Sequence, residues 1–407
     1  MANPQPAIRP QLIIRGDQVA LPACYVRGGT SRAVLFHKDD LPPLETPGDY
    51  ARWAPIFLAA MGSPDPAKRQ LDGFGGGISS LSKVAVISPS THPQADVDYL
   101  FGQVGVDAAV VGYRANCGNI SSAVGPFAVD EGLVKVEGDE ARVRIHNVNT
   151  GKIIISTFRM SDGYAAVDGS YSLQGVAGTG SPIRLAFQRP GGAATGKLLP
   201  SERASDRLEV PGVGVLTVSL VDAANPVVFV RGEELGLDFT IGPKGLAEDR
   251  GWLERFEAIR VTAAVAMGLV ATEAEARTSL RNLPMVSIVY PPRNVTTLAG
   301  ETFAAGDLDI VSQVISAGSP HLATPLTGAM CLACAAAVPG TVVADIAGDA
   351  ARGERPLRIG HPSGVIELSP VIRREGEAVT VEEVAIYRTA RRLMEGLVLV
   401  PRRHYPF

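Results

Sequence analysis

The stretch Asn116-Cys-Gly-Asn-Ile-Ser-Ser122 places one thiol among small residues at the point where a loop turns into a helix. The residues that follow form an apolar, Ala-containing segment, and a helix that is apolar on all sides is normally buried. A second small-residue turn, Thr327-Gly-Ala-Met-Cys-Leu-Ala333, opens a similar segment. We therefore expect two helices, each inside a β-rich layer with its N-terminus at the rim.

The two turns belong to a longer repeat. The similar pairs, in the same order along the chain, are 33–41 with 227–235, 82–89 with 284–291, 117–123 with 327–333, and 147–151 with 360–364. Each pair is weak, and β-turn-helix segments of unrelated proteins also look alike. Four pairs in one order nevertheless indicate a duplicated domain.

The Gly-, Pro- and Ala-rich segment 188–197 is typical of a linker. We predict domains at residues 1–197 and 198–407, and allow the last segment to pack back on the first domain. Runs with β-type composition lie at 141–155, 214–231, 283–290 and 365–372, and runs with helical spacing lie at 50–61, 251–267 and 381–395. The expected fold is α+β, with two pseudo-symmetric domains that are each a barrel-like sheet around a central helix. The active-site cleft is expected between the domains.

The composition favours a globular protein and argues against nucleic-acid and membrane partners. Hydrophobic residues make up 46% and charged residues 20% of the 407 residues, which suits a globular chain. The net charge of −4 argues against a nucleic-acid partner or an anionic membrane surface. The N-terminal residues lack a signal pattern, and no run of about 18 apolar residues occurs. We predict a cytoplasmic protein with no membrane partner, and a homodimer is compatible with the sequence.

Four cysteines, at positions 24, 117, 331 and 334, are too few for a disulfide framework, and the one CxxC lacks the second ligand pair of a zinc site. Cys117 is the candidate for chemistry, because the dipole and amides of a helix N-terminus stabilise an anionic thiol. Lys83, the last residue of the Gly/Ser-rich turn 75–83, is its candidate acid–base partner. The alternatives are a buried structural cysteine and a solvated surface lysine.

Glycines and hydroxyls around two further turns are suited to bind carboxylates. Arg27-Gly-Gly-Thr-Ser31 could hold one through backbone amides, and His361-Pro-Ser-Gly364 with His321 could hold another from the second domain. The full set of candidate substrate-binding residues is Arg27, Thr30, Ser31, Ser80, Asn116, Gly118, Asn119, His321, Thr327, Gly328, His361, Ser363 and Gly364.

The chain resembles the PrpF family of isomerases, which have the diaminopimelate epimerase-like fold, over nearly its whole length. The motifs that carry the resemblance are Arg27-Gly-Gly-Thr-Ser31, Asp72-Gly-Phe-Gly-Gly-Gly-Ile-Ser-Ser-Leu-Ser-Lys83, Asp98-Tyr-Leu-Phe-Gly-Gln103, Asn116-Cys-Gly-Asn119, Asn147-Val-Asn-Thr-Gly151, Asp222-Ala-Ala-Asn-Pro226, His321, Thr327-Gly328 and Gly360-His-Pro-Ser-Gly364.

The resemblance implies that Lys83 and Cys117 are the acid–base residues of a cofactor-independent, metal-free isomerase. Its substrate would be a small unsaturated di- or tricarboxylate of the aconitate, methylaconitate, methylitaconate or oxalomesaconate type. An amino-acid racemase is the first alternative, but related epimerases use a second cysteine where this chain has Thr327. A carboxylate-binding protein without catalysis is the second.

Overall fold

The computed structural model describes residues 13–113, 116–352, 355–375 and 378–407. No helix in these ranges is long and apolar enough to span a membrane. The α-helices are α1 Ala54–Met61, α2 Gly118–Asp130, α3 Gly232–Leu235, α4 Gly242–Glu248, α5 Arg250–Ala266, α6 Glu273–Ser279, α7 Leu326–Ala336 and α8 Val342–Ala347.

The strands up to the middle of the chain are β1 Ile13–Arg15, β2 Gln18–Gly28, β3 Ser31–His37, β4 Lys83–Pro89, β5 Val97–Val104, β6 Val111–Gly112, β7 Glu140–Asn147, β8 Lys152–Ser161, β9 Tyr164–Ala165, β10 Tyr171–Ser172, β11 Thr179–Gly180 and β12 Ile183–Gln188. The remaining strands are β13 Asp206–Val210, β14 Gly214–Ala223, β15 Asn225–Arg231, β16 Met285–Tyr290, β17 Val295–Thr296, β18 Thr302–Phe303, β19 Ile310–Ser316, β20 Ser319–Pro320, β21 Leu357–His361, β22 Gly364–Glu375, β23 Ala378–Arg388 and β24 Ala390–Pro401.

The chain divides into two compact units. The first contains the described residues up to Ala186 together with Tyr387–Phe407, and the second contains Phe187–Ile386. The division falls about ten residues before the linker boundary expected at 197/198. The C-terminal segment, including β24, is part of the first unit.

The two units share one strand topology. In the first, β2 and β3 are antiparallel, β3–β4 parallel, β4–β5 antiparallel, β5–β7 parallel and β7–β8 antiparallel. In the second, the same alternation runs through β14, β15, β16, β19, β21 and β22. The segments 33–41 and 227–235 fall on β3 and β15, and 82–89 and 284–291 fall on β4 and β16. The predicted pseudo-symmetric fold is confirmed.

Each unit has one buried central helix. In α2 most side chains are buried, and the helix packs against β2, β3, β7, β8 and β24, so the sheet curves around it. In α7 every residue is buried, and the helix packs against β14, β15 and β22. The helices expected at 50–61 and 251–267 are confirmed as α1, with a short 3₁₀ turn before it, and α5.

The helix expected over 381–395 is wrong, because these residues form parts of β23 and β24. The register of β22 and β23 shifts between Val371 and Ile372, which leaves Glu382 as an extra residue. A bulge of this kind moves the buried alternation by one position. Val381 and Val384 are therefore both buried at a spacing of three, which imitates a helical period.

Arg260 on α5 is 2% exposed and fixes the connection after α6. Its Nη1 donates to the carbonyls of Leu280 (2.6 Å) and Leu283 (2.9 Å). Its Nη2 donates to the carbonyl of Ala276 (3.1 Å) and pairs with Glu257 (2.6 Å). Because only Pro284 separates Leu283 from β16, this single guanidinium connects α5, α6 and the segment that leads into a central strand.

Arg260→Met should destabilise the second unit by about 3–5 kcal/mol, because it leaves three carbonyls and a carboxylate without their buried donor. A Trp53→Phe background leaves Trp252 as the one tryptophan, so that fluorescence during urea unfolding reports on α5. Arg250→Met is the matched control, since the Arg250–Glu254 pair is 92% and 68% exposed. The prediction would be contradicted if Arg250→Met lowered the free energy of unfolding as much as Arg260→Met does.

Candidate active site

Lys83 is the first residue of β4 and is only 7% exposed. Its Nζ lies 2.5 Å from Oε1 of Gln103, the residue directly opposite on β5. The ring of Phe101 lies 5.1 Å from the same Nζ. The Lys83 amine is therefore enclosed by the protein and directed toward Gln103.

Gln103 is itself fixed by the turn before β4. Its Nε2 donates to the carbonyls of Ser79 (3.0 Å) and Ser82 (2.9 Å). Since both amide protons are used in this way, Oε1 is the end that faces Lys83. The turn is held from its other side by Gln70, whose Nε2 donates to Oγ of Ser82 (2.7 Å) and whose Oε1 accepts from the Gly77 amide (3.0 Å).

Burial lowers the pKa of Lys83, because removing an ammonium group from water disfavours its charged form. The charge of Cys117 acts on the same amine in the opposite direction and raises its pKa. The thiol and the amine are therefore close enough to interact electrostatically. A lysine with a lowered pKa exchanges protons nearer to neutral pH than an exposed one.

Cys117 is half-buried and is the residue immediately before α2. Its carbonyl accepts from the amide and the hydroxyl of Ser121, both at 3.0 Å, and from the phenol of Tyr99 at 3.5 Å. These bonds fix the backbone that carries the thiol. Gly118 starts the helix and is buried, so the first turn of α2 continues directly from the cysteine.

Three asparagines support the segment before Cys117. The Oδ1 of Asn116 accepts from Asn147 Nδ2 (3.3 Å), and Asn147 Oδ1 in turn accepts from the amide and hydroxyl of Thr150. Asn149 bonds both the amide and the carbonyl of Phe101, each at 2.8 Å. The motif at 147–151 therefore positions both the strand beside Lys83 and the residue before the thiol, a role that the sequence analysis did not assign.

The turn between β2 and β3 packs against the first turn of α2. A Cβ on Gly28 would lie 2.6 Å from the carbonyl oxygen of Asn119, and Gly29 has a φ of +53°. The Asn119 Nδ2 donates to Oγ1 of Thr30 (3.1 Å). The expectation that these glycine amides bind a carboxylate is not met at Gly29, whose amide donates to the carbonyl of Thr389 (2.9 Å).

The other candidates of the first unit differ in accessibility. Ser31 is 3% exposed, whereas Ser80 in the 3₁₀ turn before β4 is half-buried. Arg27 is half-buried, and its Nη1 donates to the carbonyl of Gly29 and to both oxygens of Thr389. In the first unit, the turn that holds Gly28 and Thr30 thus lies against the first turn of α2, and Cys117 before this helix interacts electrostatically with Lys83.

The candidates of the second unit lie in the first turn of α7, in the segment before it, and at the turn between β21 and β22. Thr327 is buried, and its Oγ1 accepts from Asn225 Nδ2 (3.0 Å). His361 is also buried, and its Nδ1 accepts from the Ser363 amide (3.1 Å), which places the proton of a neutral ring on Nε2. The Ser363 hydroxyl donates to the carbonyl of Leu322, the residue after His321 (2.5 Å).

Two of the predicted binding residues of the second unit are glycines, Gly328 and Gly364, and they differ in why a larger residue would or would not fit. Gly328 is buried in α7, with the side chain of Met285 at ordinary contact distance from the place of a Cβ. Gly364 is the first residue of β22 and has a φ of +143°, which disfavours any other residue. This turn therefore depends on glycine for its conformation.

One group of metal-type ligands occurs among the described residues, at the other end of α2 from Cys117. It consists of Cys24, Glu131 and Glu395. The Nη1 of Arg392 lies 2.6 Å from Glu131 and 2.7 Å from Glu395, and His37 Nε2 lies 3.1 Å from Glu131. Because the guanidinium neutralises both carboxylates, this cluster is an ion-pair network that fixes the C-terminal end of α2.

The PrpF protein family matches residues 18–401. The chain is 40% identical to the 3-methylitaconate isomerase of Eubacterium barkeri, over 95% of this chain and 98% of that protein. It is 38% identical to the 2-methyl-aconitate isomerase of Shewanella oneidensis, again over 95% and 98%. A crystal structure of methylitaconate-delta-isomerase aligns with a TM-score of 0.76 at 39% identity, over 96% of this chain and 98% of that one. The match thus runs from β2 to β24, and the chain belongs to the PrpF family.

Proposed function

We propose that this protein is a cofactor-independent isomerase of an unsaturated di- or tricarboxylate, with Lys83 and Cys117 as its acid–base pair. The observation that carries the proposal is the buried Lys83 amine, aimed by Gln103 and interacting electrostatically with the thiol before α2. The names of the relatives support the reaction class and the kind of substrate. A cytoplasmic location and a homodimer stay predictions from the sequence.

The reaction moves one proton within an allylic system. One residue of the pair removes a proton from a carbon α or γ to a carboxylate, which gives a dienolate. The other residue returns a proton to the far carbon, or the first returns it after rotation about the former double bond. Negative charge grows on the carboxylate oxygens, and the unpaired amides in the first turn of α2 would stabilise it there.

Proton NMR in deuterium oxide tests the proposal on the wild-type protein. The acids to be tried are cis- and trans-aconitate, 2-methylaconitate, methylitaconate and 4-oxalomesaconate. We expect one of them to isomerise, with solvent deuterium on the carbon that gains the proton. Binding of these acids without exchange would instead indicate a carboxylate-binding protein, and exchange at the α-carbon of an amino acid would indicate a racemase.

Gln103→Met should move the Lys83-dependent limb of the pH–rate profile to lower pH. The amide oxygen accepts from Lys83 Nζ and so stabilises the ammonium form. Removing this acceptor should lower the pKa of Lys83 further, so that the amine loses its proton at a lower pH. The measurement is kcat and kcat/KM as functions of pH for the acid identified in deuterium oxide.

Gln70→Met is the matched control for this change. Gln70 is 1% exposed and holds the same turn, through Ser82 and Gly77. Its loss should lower kcat by loosening the turn, with the position of the limb unchanged. A limb that moves equally in both variants would show that turn geometry, and not the Gln103 oxygen, sets the pH dependence.

A further inference from the structure

Arg388, the last residue of β23, is a buried cation in the first unit. The residue is 7% exposed, and burial lowers the pKa of its guanidinium to about 10. In the described part of the chain no carboxylate lies within ion-pair distance of it. Burying a charge without an opposite charge costs several kcal/mol, so a chain retains one only where something else depends on it.

The hydrogen bonds of Arg388 use only part of the guanidinium. The Nε donates to Oδ1 of Asn119 (3.2 Å), and Nη1 donates to the carbonyl of Tyr387 (2.9 Å). The Nη2 group donates to no atom of the described residues. Arg260, the other strongly buried arginine discussed above, instead pairs with Glu257 and donates to three carbonyls. Arg388 is therefore not a structural arginine of the same kind.

Arg388 lies beside the candidate active site. Its partner Asn119 is in the first turn of α2, two residues after Cys117, and also donates to Thr30. The guanidinium is thus joined through one side chain to the helix end that carries the thiol. The amides and dipole of this helix end favour an anion at the same place.

Two more arginines lie near the Gly28–Thr30 turn, which contacts Asn119, and neither has a carboxylate partner among the described residues. Arg27 and Arg391 are directly opposite each other on β2 and β24. Burial lowers the pKa of Arg27, and the charge of Arg391 lowers it further. Like charges directly opposite in a sheet are unfavourable. The surroundings of the Gly28–Thr30 turn are therefore positive without an internal counter-charge, which attracts a polyanion.

We propose that Arg388 binds one carboxylate of the substrate and is the counter-charge that sets the preference for a polyacid. This inference rests on the proposed function and names one of its substrate contacts. Asn119 acts as a positioning residue, because it joins the guanidinium to the first turn of α2. An arginine held in this way can bind a planar carboxylate through two parallel hydrogen bonds.

The test combines one change in the protein with one change in the ligand and asks whether their effects on binding affinity are independent. Wild type and Arg388→Met are each titrated calorimetrically with the acid identified by exchange and with its half-esters, each of which lacks one carboxylate charge. We expect Arg388→Met to weaken binding of the free acid by about 10- to 100-fold. For one half-ester the substitution should change binding less than about threefold, because that carboxylate is already blocked.

A structural role for Arg388 would weaken the free acid and every half-ester by the same factor, and that result would overturn the inference. Arg142→Met, at an exposed position on β7, is the charge control and should bind all ligands as wild type does. If Arg388→Met does not fold, Arg388→Lys replaces it. The loss of binding affinity should again be confined to ligands in which the carboxylate bound by Arg388 is free. No binding or exchange by wild type would instead defeat the proposed function itself.

Discussion

We expect Lys83→Met to lower kcat for isomerisation by about 10³-fold, the size typical for removal of a positioned proton-transfer group. Methionine keeps an unbranched side chain against the Phe101 ring, so the packing of β4 is retained. The change removes the amine that burial has shifted toward its neutral form. Steady-state kinetics on the identified acid, with circular dichroism as the check on folding, measure the effect.

Lys83→Arg separates proton transfer from charge. Arginine keeps the positive charge but does not give up its proton in proteins, so it should be about as inactive as methionine. Lys38→Met, at an exposed position after β3, is the control and should keep wild-type activity. Activity of Lys83→Arg above about a tenth of wild type would show that Lys83 acts as a fixed charge and not as an acid or base.

The fold could be predicted because its signals are local. Alternating strands and small-residue turns recur in one order, and the matching segments occupy β3 and β15, β4 and β16, and the starts of α2 and α7. The pattern failed where local spacing was misleading. The extra residue Glu382 breaks the two-residue alternation of β23. A bulge exists only relative to the partner strand, so the sequence of β23 alone does not reveal it.

The site could be predicted only in part, for a related reason. Lys83 and Cys117 were found because each stands in a recognisable turn. Gln103 was quoted within a motif but received no role, since its amide acts on Lys83 across a strand pair. Arg388 is 269 residues away from its partner Asn119 along the chain, so no spacing could join them. Contacts of this kind become visible only when the strands are placed together.

Cys117→Ala should lower kcat by about 10²- to 10⁴-fold, because it removes the second proton-transfer group from the start of α2. Cys117→Ser is the sharper variant. Serine is a favoured residue at a helix N-cap, so α2 should be at least as stable as in wild type, yet the hydroxyl does not ionise in the working pH range. Cys334→Ala, in the buried helix α7, is the thiol control and should stay active.

Deuterium exchange then assigns the two roles. The variant that still has the base should exchange the acidic proton of the substrate without forming product, and the variant without the base should do neither. If Cys117→Ala and Lys83→Met both exchange and isomerise at wild-type rates, neither residue is the acid or the base.

Alkylation gives an independent test of Cys117 in the unmodified sequence. The other three thiols are buried, and burial raises the pKa of Cys24 to about 12 and raises those of Cys331 and Cys334 as well. Because the thiolate is the reactive form, iodoacetamide near neutral pH should modify the half-buried Cys117 first. Mass spectra measure the extent of this single modification, and activity should fall in proportion to it. A bound substrate should slow both the alkylation and the loss of activity. Full activity after complete alkylation of Cys117 would remove the thiol from the mechanism.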